Sequence, residues 1–102
     1  MNTFDEREAS EEKRFALDEE RRFRVRVARD RAMAAWAADW LAIPAAGRAA
    51  FSEDFVRGNV GRSDESAAAD LARRFAEAGR PIEAERLRRK FAAAHAEAES
   101  LR

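Results

Sequence analysis

No glycine or proline interrupts the chain before Pro44. That absence constrains the fold more than any other feature, because these are the two residues that cost a helix most. The stretch is instead filled with Ala, Arg and Glu, which are strong helix formers. The whole chain carries 25 Ala and 18 Arg in 102 residues. Thr3-Phe4-Asp5-Glu6 has the form of a capping box, with Thr3 as N-cap and Glu6 at N3. Pre-proline sterics disfavour a helical Ile43. One helix is therefore predicted from about Asp5 to Leu41, roughly 55 Å long at 1.5 Å per residue. A small domain is narrower than that, so part of this helix must project, bend or lie unfolded.

The remaining helices are shorter. A second is predicted from about Pro44 to Arg57, with Phe51 and Phe55 at i, i+4. "GNVGRS" (58–63) follows as a turn-rich linker. Ser63 caps a third helix, whose first turn carries Asp64 and Glu65, favourable to the helix dipole. Gly79 is a natural C′ residue for it. Pro81 starts a fourth, to about Ser100, in which Leu87, Phe91, Ala94, Ala98 and Leu101 form a 4-3-4-3 stripe. Large apolar residues cluster from Met33 onward: Trp36, Trp40, Leu41, Ile43, Phe51, Phe55, Val56, Val60, Leu71, Phe75, Ile82, Leu87 and Phe91. The expected fold is all-α, a four-helix bundle of residues 26–102 with a modest core. Its long first helix begins as a mobile or projecting charged arm, residues 1–25.

The arm differs in kind from the rest. From Asp5 to Glu20 there are eight acids and three bases; from Arg21 to Arg31, six bases and one acid. Phe4 and Phe15 share the helical face of Met33, Trp36 and Trp40, whereas Phe23, Val25 and Val27 scatter around the wheel. Within this region "RFRVRVAR" (Arg22–Arg29) alternates like a strand. Helix formers flank it and no second strand exists to pair with, so the helical reading prevails. Asp18 with Arg22, and Glu20 with Arg24, then become i, i+4 pairs worth about 0.2–0.5 kcal/mol each. Its arginines suit a solvated, salt-bridged collar, a protein contact, or phosphate binding.

Twenty acids balance twenty bases, which argues against general polyanion binding. There is no Cys, so disulfides and thiolate metal sites are excluded. The first ten residues lack the apolar segment of a secretory signal, and no run approaches the ~18 apolar residues needed to span a bilayer. A soluble cytoplasmic protein is expected, without membrane insertion. With no Tyr, one His and no G-x-S-x-G turn, no catalytic constellation is visible, and neither an enzyme nor a cofactor is expected. His95 reads as a packed or surface histidine, with a pH switch as the alternative. Trp36 and Trp40 read as core, with a binding platform as the alternative. Arg88-Arg89-Lys90 reads as a solvated face, with phosphate or nucleotide binding as the alternative. "GNVGRS" lacks the spacing and the Lys of a phosphate loop.

Three blocks together resemble a known family: "TFDERE" from Thr3 and "RFALDEERRFR" from Arg14; Trp36-Ala37-Ala38-Asp39 with Leu41; and "LRRKF", Leu87 to Phe91. Asp70-Leu71 and Gly79 fit as well. The chain is similar over essentially its whole length to the inhibitory zeta subunit of the F-type ATP synthase of alphaproteobacteria. The resemblance implies a four-helix bundle with a mobile N-terminal segment that enters a catalytic interface of the ATPase head, near the central stalk. The implied partners are the alpha, beta and central stalk subunits, the free protein being a monomer. The implied contact residues are Phe4, Asp5, Arg7, Glu8, Arg14, Phe15, Asp18, Glu19, Glu20, Arg22 and Phe23, with no catalytic residue and no metal. Glu11 stands where the family usually has an aromatic, Arg21 where it has Leu, and Leu17 where it has His. Two apolar anchors are thereby lost, at about 2 kcal/mol or more each. Ala34 and Ala42 stand where Gly is common, which predicts a stiffer first helix. The alternatives from the residues themselves are a nucleic-acid-associated helical protein using Arg21–Arg31, and self-association through the stripe of the last helix.

Overall fold

In a computed structural model, residues 3–101 are described, with side chains from residue 6 onward. Four helices and no strand are present among the described residues: α1 (Thr3–Trp40), α2 (Ala45–Asn59), α3 (Asp64–Glu77) and α4 (Ala84–Ser100). α1 is a single helix of 38 residues, about 57 Å at the usual rise. It sets the long dimension of a molecule measuring 66 × 30 × 22 Å. The radius of gyration, 17.7 Å, exceeds the roughly 13 Å of a compact domain of this length. The Thr3 side chain, on which the expected capping box rests, is not among the described side chains.

α1 packs against α2 and α4, and α4 also packs against α3. The core gathers Met33, Ala34 and Ala37 of α1, Phe55 of α2, Ala67, Ala68, Leu71 and Phe75 of α3, and Leu87 and Phe91 of α4. Phe55 and Phe91 stack at 6.3 Å, and Trp36 sets its ring against the edge of Phe75 at 5.6 Å. The small residues of α1 let its neighbours approach closely, so a few aromatics fill the space between helices. The last helix's stripe is taken up inside the chain by Leu87, Phe91 and Ala98, while Leu101 is left exposed. Two expected core residues lie elsewhere. Val60 is 61% exposed because it sits in the turn after α2, and Trp40 is 39% exposed at the rim, where its indole N–H needs a polar partner.

The helix ends follow local chemistry. The Ser63 hydroxyl accepts the Ser66 N–H at 3.1 Å, the expected cap. α3 closes on Gly79 at φ 75°, with Arg80 N–H donating to the Phe75 carbonyl and Gly79 N–H to that of Ala76; this is the Schellman pattern. α1 ends in the same pattern, Ile43 N–H to Ala38 and Ala42 N–H to Asp39, but its left-handed residue is Ala42, at φ 55°. Ala42 therefore stands beyond the helix and strains its end instead of stiffening it. Two boundaries differ from expectation. α2 continues through Gly58 to Asn59, because it is Gly61, at φ 76°, that takes the left-handed turn. α4 starts at Ala84, not Pro81, since the non-helical link lets Ile82 pack against the core.

Ala34 and Ala42 should respond oppositely to glycine. Ala42→Gly relieves the left-handed strain and should raise stability by about 0.5–1 kcal/mol. Ala34→Gly, at a fully buried helix interior, should lower it by about 1 kcal/mol or more. Urea unfolding followed by circular dichroism measures both.

Candidate functional site

The part of α1 that no other helix covers is the candidate site. From residue 6 to residue 24 every side chain is exposed except Asp18, which is half-buried. Phe15, Leu17 and Phe23 are 67%, 51% and 56% exposed. An aromatic ring on such a helix can leave water only by meeting another molecule. Of the expected contact residues, Arg7, Glu8, Arg14, Phe15, Glu19, Glu20, Arg22 and Phe23 lie on this exposed stretch. The side chains of Phe4 and Asp5 lie outside the described residues. Glu20 pairs with Arg24 at 3.9 Å as expected. Arg22 does not pair with Asp18; it reaches back one position less, to Glu19 at 2.5 Å, an i, i+3 geometry equally available on a helix. Asp18 faces α4 instead, sharing a groove with Arg22, Val25 and His95. His95 sits 2.9 Å from Glu99 on its own helix.

Coverage begins at Val25, the first buried residue of α1. One turn later Arg29 is only 2% exposed, the largest side chain so deeply buried. Its Nε donates to Asp30 Oδ1 at 3.1 Å and its NH1 to Asp64 Oδ1, in the first turn of α3, at 2.6 Å. The guanidinium carbon lies 5.3 Å from the ring centre of Phe91 on α4. Arg26 donates to the Arg62 carbonyl at 2.8 Å, tying the same region to the turn before α3. Burial pushes the Asp30 carboxyl above its ordinary range, against the opposing pull of Arg29, Arg26 and the Asn59 amide. Asn59 is itself buried, and its Nδ2 has no well-formed hydrogen bond. Phe23, Arg26 and Val27 face Val56, Asn59 and Val60 across a shallow groove of about 280 Å³.

Sequence reasoning missed Arg29, Asp30, Asn59 and Asp64 as a connected group. A signal existed. Val25, Arg29, Met33 and Ala37 recur every fourth residue, so the arginine falls on the stripe that also carries Met33. What the stripe does not show is which acid from a distant helix meets it. The other end of α1 presents Trp36, half-buried, stacked on Trp40 at 6.2 Å. Among the described residues no group of His, Cys, Asp or Glu has the arrangement of a metal site, and no helix is long and apolar enough to cross a membrane.

A family model described as ATPase inhibitor subunit zeta matches residues 1–100 of the chain. No curated protein and no solved structure matches it.

Arg29→Met should destabilise the fold by about 3 kcal/mol near neutral pH, because it leaves the Asp30 charge buried and unpaired. The deficit should shrink as the pH is lowered from neutral into the window just above the ordinary carboxylate range. A carboxyl whose folded pKa is raised binds more protons in the folded than in the unfolded state, so its unfavourable charge disappears as the pH falls through that window. Denaturant titrations of both proteins at the two pH values measure the difference.

Proposed function

Because the chain belongs to the ATPase inhibitor subunit zeta family, we propose that it is a regulatory subunit that binds the catalytic head of the F-type ATP synthase. In this reading residues 1–25 are an arm, free to reorient, carried by a four-helix bundle of residues 26–102. The arm inserts at the interface of the alpha and beta subunits beside the central stalk and blocks the hydrolytic direction of rotation. It works in the cytoplasm, as a monomer when free. The single observation that supports this best is the uncovered run of α1, residues 6–24, with Phe15 and Phe23 exposed on a highly charged helix.

The mechanism is steric and needs no cofactor. A helical arm wedged into a closing interface opposes the domain movement that hydrolysis requires. Aromatic anchors typically dominate the energy of such a contact, so Phe4, Phe15 and Phe23 supply grip. Charge sets orientation and on-rate more than affinity. Asp5, Arg7, Glu8 and Arg14 occupy the leading turns, and Asp18, Glu19, Glu20 and Arg22 the turns behind them. The acidic turns lead and the basic collar follows. Arg29, being buried and paired, is withheld from that collar, which also weakens the alternative of nucleic-acid binding through Arg21–Arg31.

Titrating the full chain into a purified F-type ATPase head should inhibit ATP hydrolysis, and a chain lacking residues 1–22 should not. Absence of any binding by the full chain would sink the proposal. Restoring the missing anchors with Glu11→Phe or Arg21→Leu should tighten inhibition, by up to roughly 30-fold each if about 2 kcal/mol is recovered. The inhibition constants of the two variants test this directly.

A further inference from the structure

The far end of α1 carries a second groove that the arm does not explain. Trp36 and Trp40 form its floor, with ring centres 6.2 Å apart and planes inclined by 21°. Ile82 and Leu87 extend that floor. Trp40 is fixed reciprocally: its indole N–H donates to the Arg80 carbonyl at 2.9 Å, and the Arg80 guanidinium donates to the Trp40 carbonyl at 2.7 Å. The rim is cationic. Arg86, Arg89 and Lys90 line it, and no acidic side chain does. Lys90 Nζ sits 4.4 Å from the centre of the Trp36 ring, a cation–π distance. Arg88 is engaged with Glu85 at 2.7 Å, whereas neither Arg86 nor Arg89 has an ion-pair partner among the described residues. The groove, about 540 Å³, is larger than those at the root of the arm, of about 420 and 280 Å³.

We propose that this groove is a second docking surface, taking an acidic protein segment with an apolar anchor on the ATP synthase head; the choice of partner rests on the function proposed above. The chemistry selects the occupant. A fixed aromatic floor takes an aromatic or aliphatic side chain, as in helix-in-groove recognition. The three cations at the rim, two of them unpaired, take carboxylates flanking that side chain. A small anion would leave the floor unused. A nucleic acid would meet a chain of zero net charge, a poor polyanion binder. In this structure the chain's own acidic arm does not reach the groove, since Phe15 and Trp36 are 21 residues apart on one continuous helix, about 32 Å. Contacts near opposite ends of α1 then act as a bivalent attachment, in which the second forms at high effective concentration once the first is made.

The test uses the full chain with Arg86→Glu and Arg89→Glu together, checked for native helicity by circular dichroism. Arg57→Glu is the control, an exposed reversal on α2 that loses only an i, i+3 pair with Asp54. Affinity for the purified head is measured at two salt concentrations, alongside inhibition of hydrolysis and sedimentation of the free chain. The double variant should bind at least tenfold more weakly, with faster dissociation and a flatter salt dependence, while the control stays within twofold of wild type. Unchanged affinity of the double variant, with wild type still binding and inhibiting, overturns the groove but leaves the proposed function standing. No binding by wild type overturns both. A wild-type dimer that the double variant dissolves would make a second copy the occupant and overturn the proposal as well.

Discussion

The buried guanidinium of Arg29 is the contact on which the rest of the arrangement depends. It belongs to α1, is neutralised by Asp30 beside it and Asp64 of α3, and lies over Phe91 of α4. Three of the four helices therefore meet at one side chain. Removing a guanidinium from water is costly, and attraction between buried charges offsets that cost only with good geometry and further hydrogen bonds. Hydrogen bonds from Nε to Asp30 and from NH1 to Asp64 supply two of them, and NH2, 2.9 Å from Asp30, has an ion-pair contact but no well-formed hydrogen bond. Hydrophobic residues of similar volume in place of Arg29, Asp30 and Asp64 together would pack there at comparable net energy, so stability alone does not account for this charged group. Its geometry fixes register: one rotation of α1 brings Arg29 to the Asp64 carboxylate of α3 and the Phe91 ring of α4 at once.

That junction also divides α1. On its C-terminal side, Met33, Ala34 and Ala37 are buried in the shared core; on its N-terminal side, every described side chain from residue 6 to residue 24 except Asp18 is exposed. The same secondary structure thus does two jobs. Tertiary packing holds the second half. The first half has its own ladder of hydrogen bonds and a few surface ion pairs of small worth. A helix held so lightly suits the function proposed above, because a segment that is to fit a partner's interface should not be committed to its own core.

Much of the fold was legible before the structure. The missing glycines and prolines announced the long first helix, Ser63 the cap of the third helix, and Gly79 its end. The eight acids and few large apolar residues between Asp5 and Glu20 announced an uncovered stretch. Less legible were the turns and the polar core. Which glycine of "GNVGRS" reverses the chain depends on φ at Gly61 against Gly58, and both are equally permissive residues. Ala42 at φ 55° breaks the rule that glycine takes such positions, so the cap it makes left no mark in the sequence. Trp40 was read as core, yet its indole N–H needed an acceptor and found one at the rim, on Arg80.

The sequence by itself determined that the chain is helical, that the first helix is long and the third ends at Gly79, and that charge is segregated into an acidic and then a basic block along the first. These are local properties, set by propensity, capping and spacing along the chain. Only the tertiary structure decided that Arg29 is buried while its neighbours in the same basic run are solvated, and that Asp64, 35 positions away, neutralises it. It also decided that two tryptophans at one end of α1 lie beneath cations from α4. Pairings between distant helices depend on the angle and register at which the helices pack. Those are fixed by the joint shape of all the side chains at the contact, which no single stretch of sequence contains.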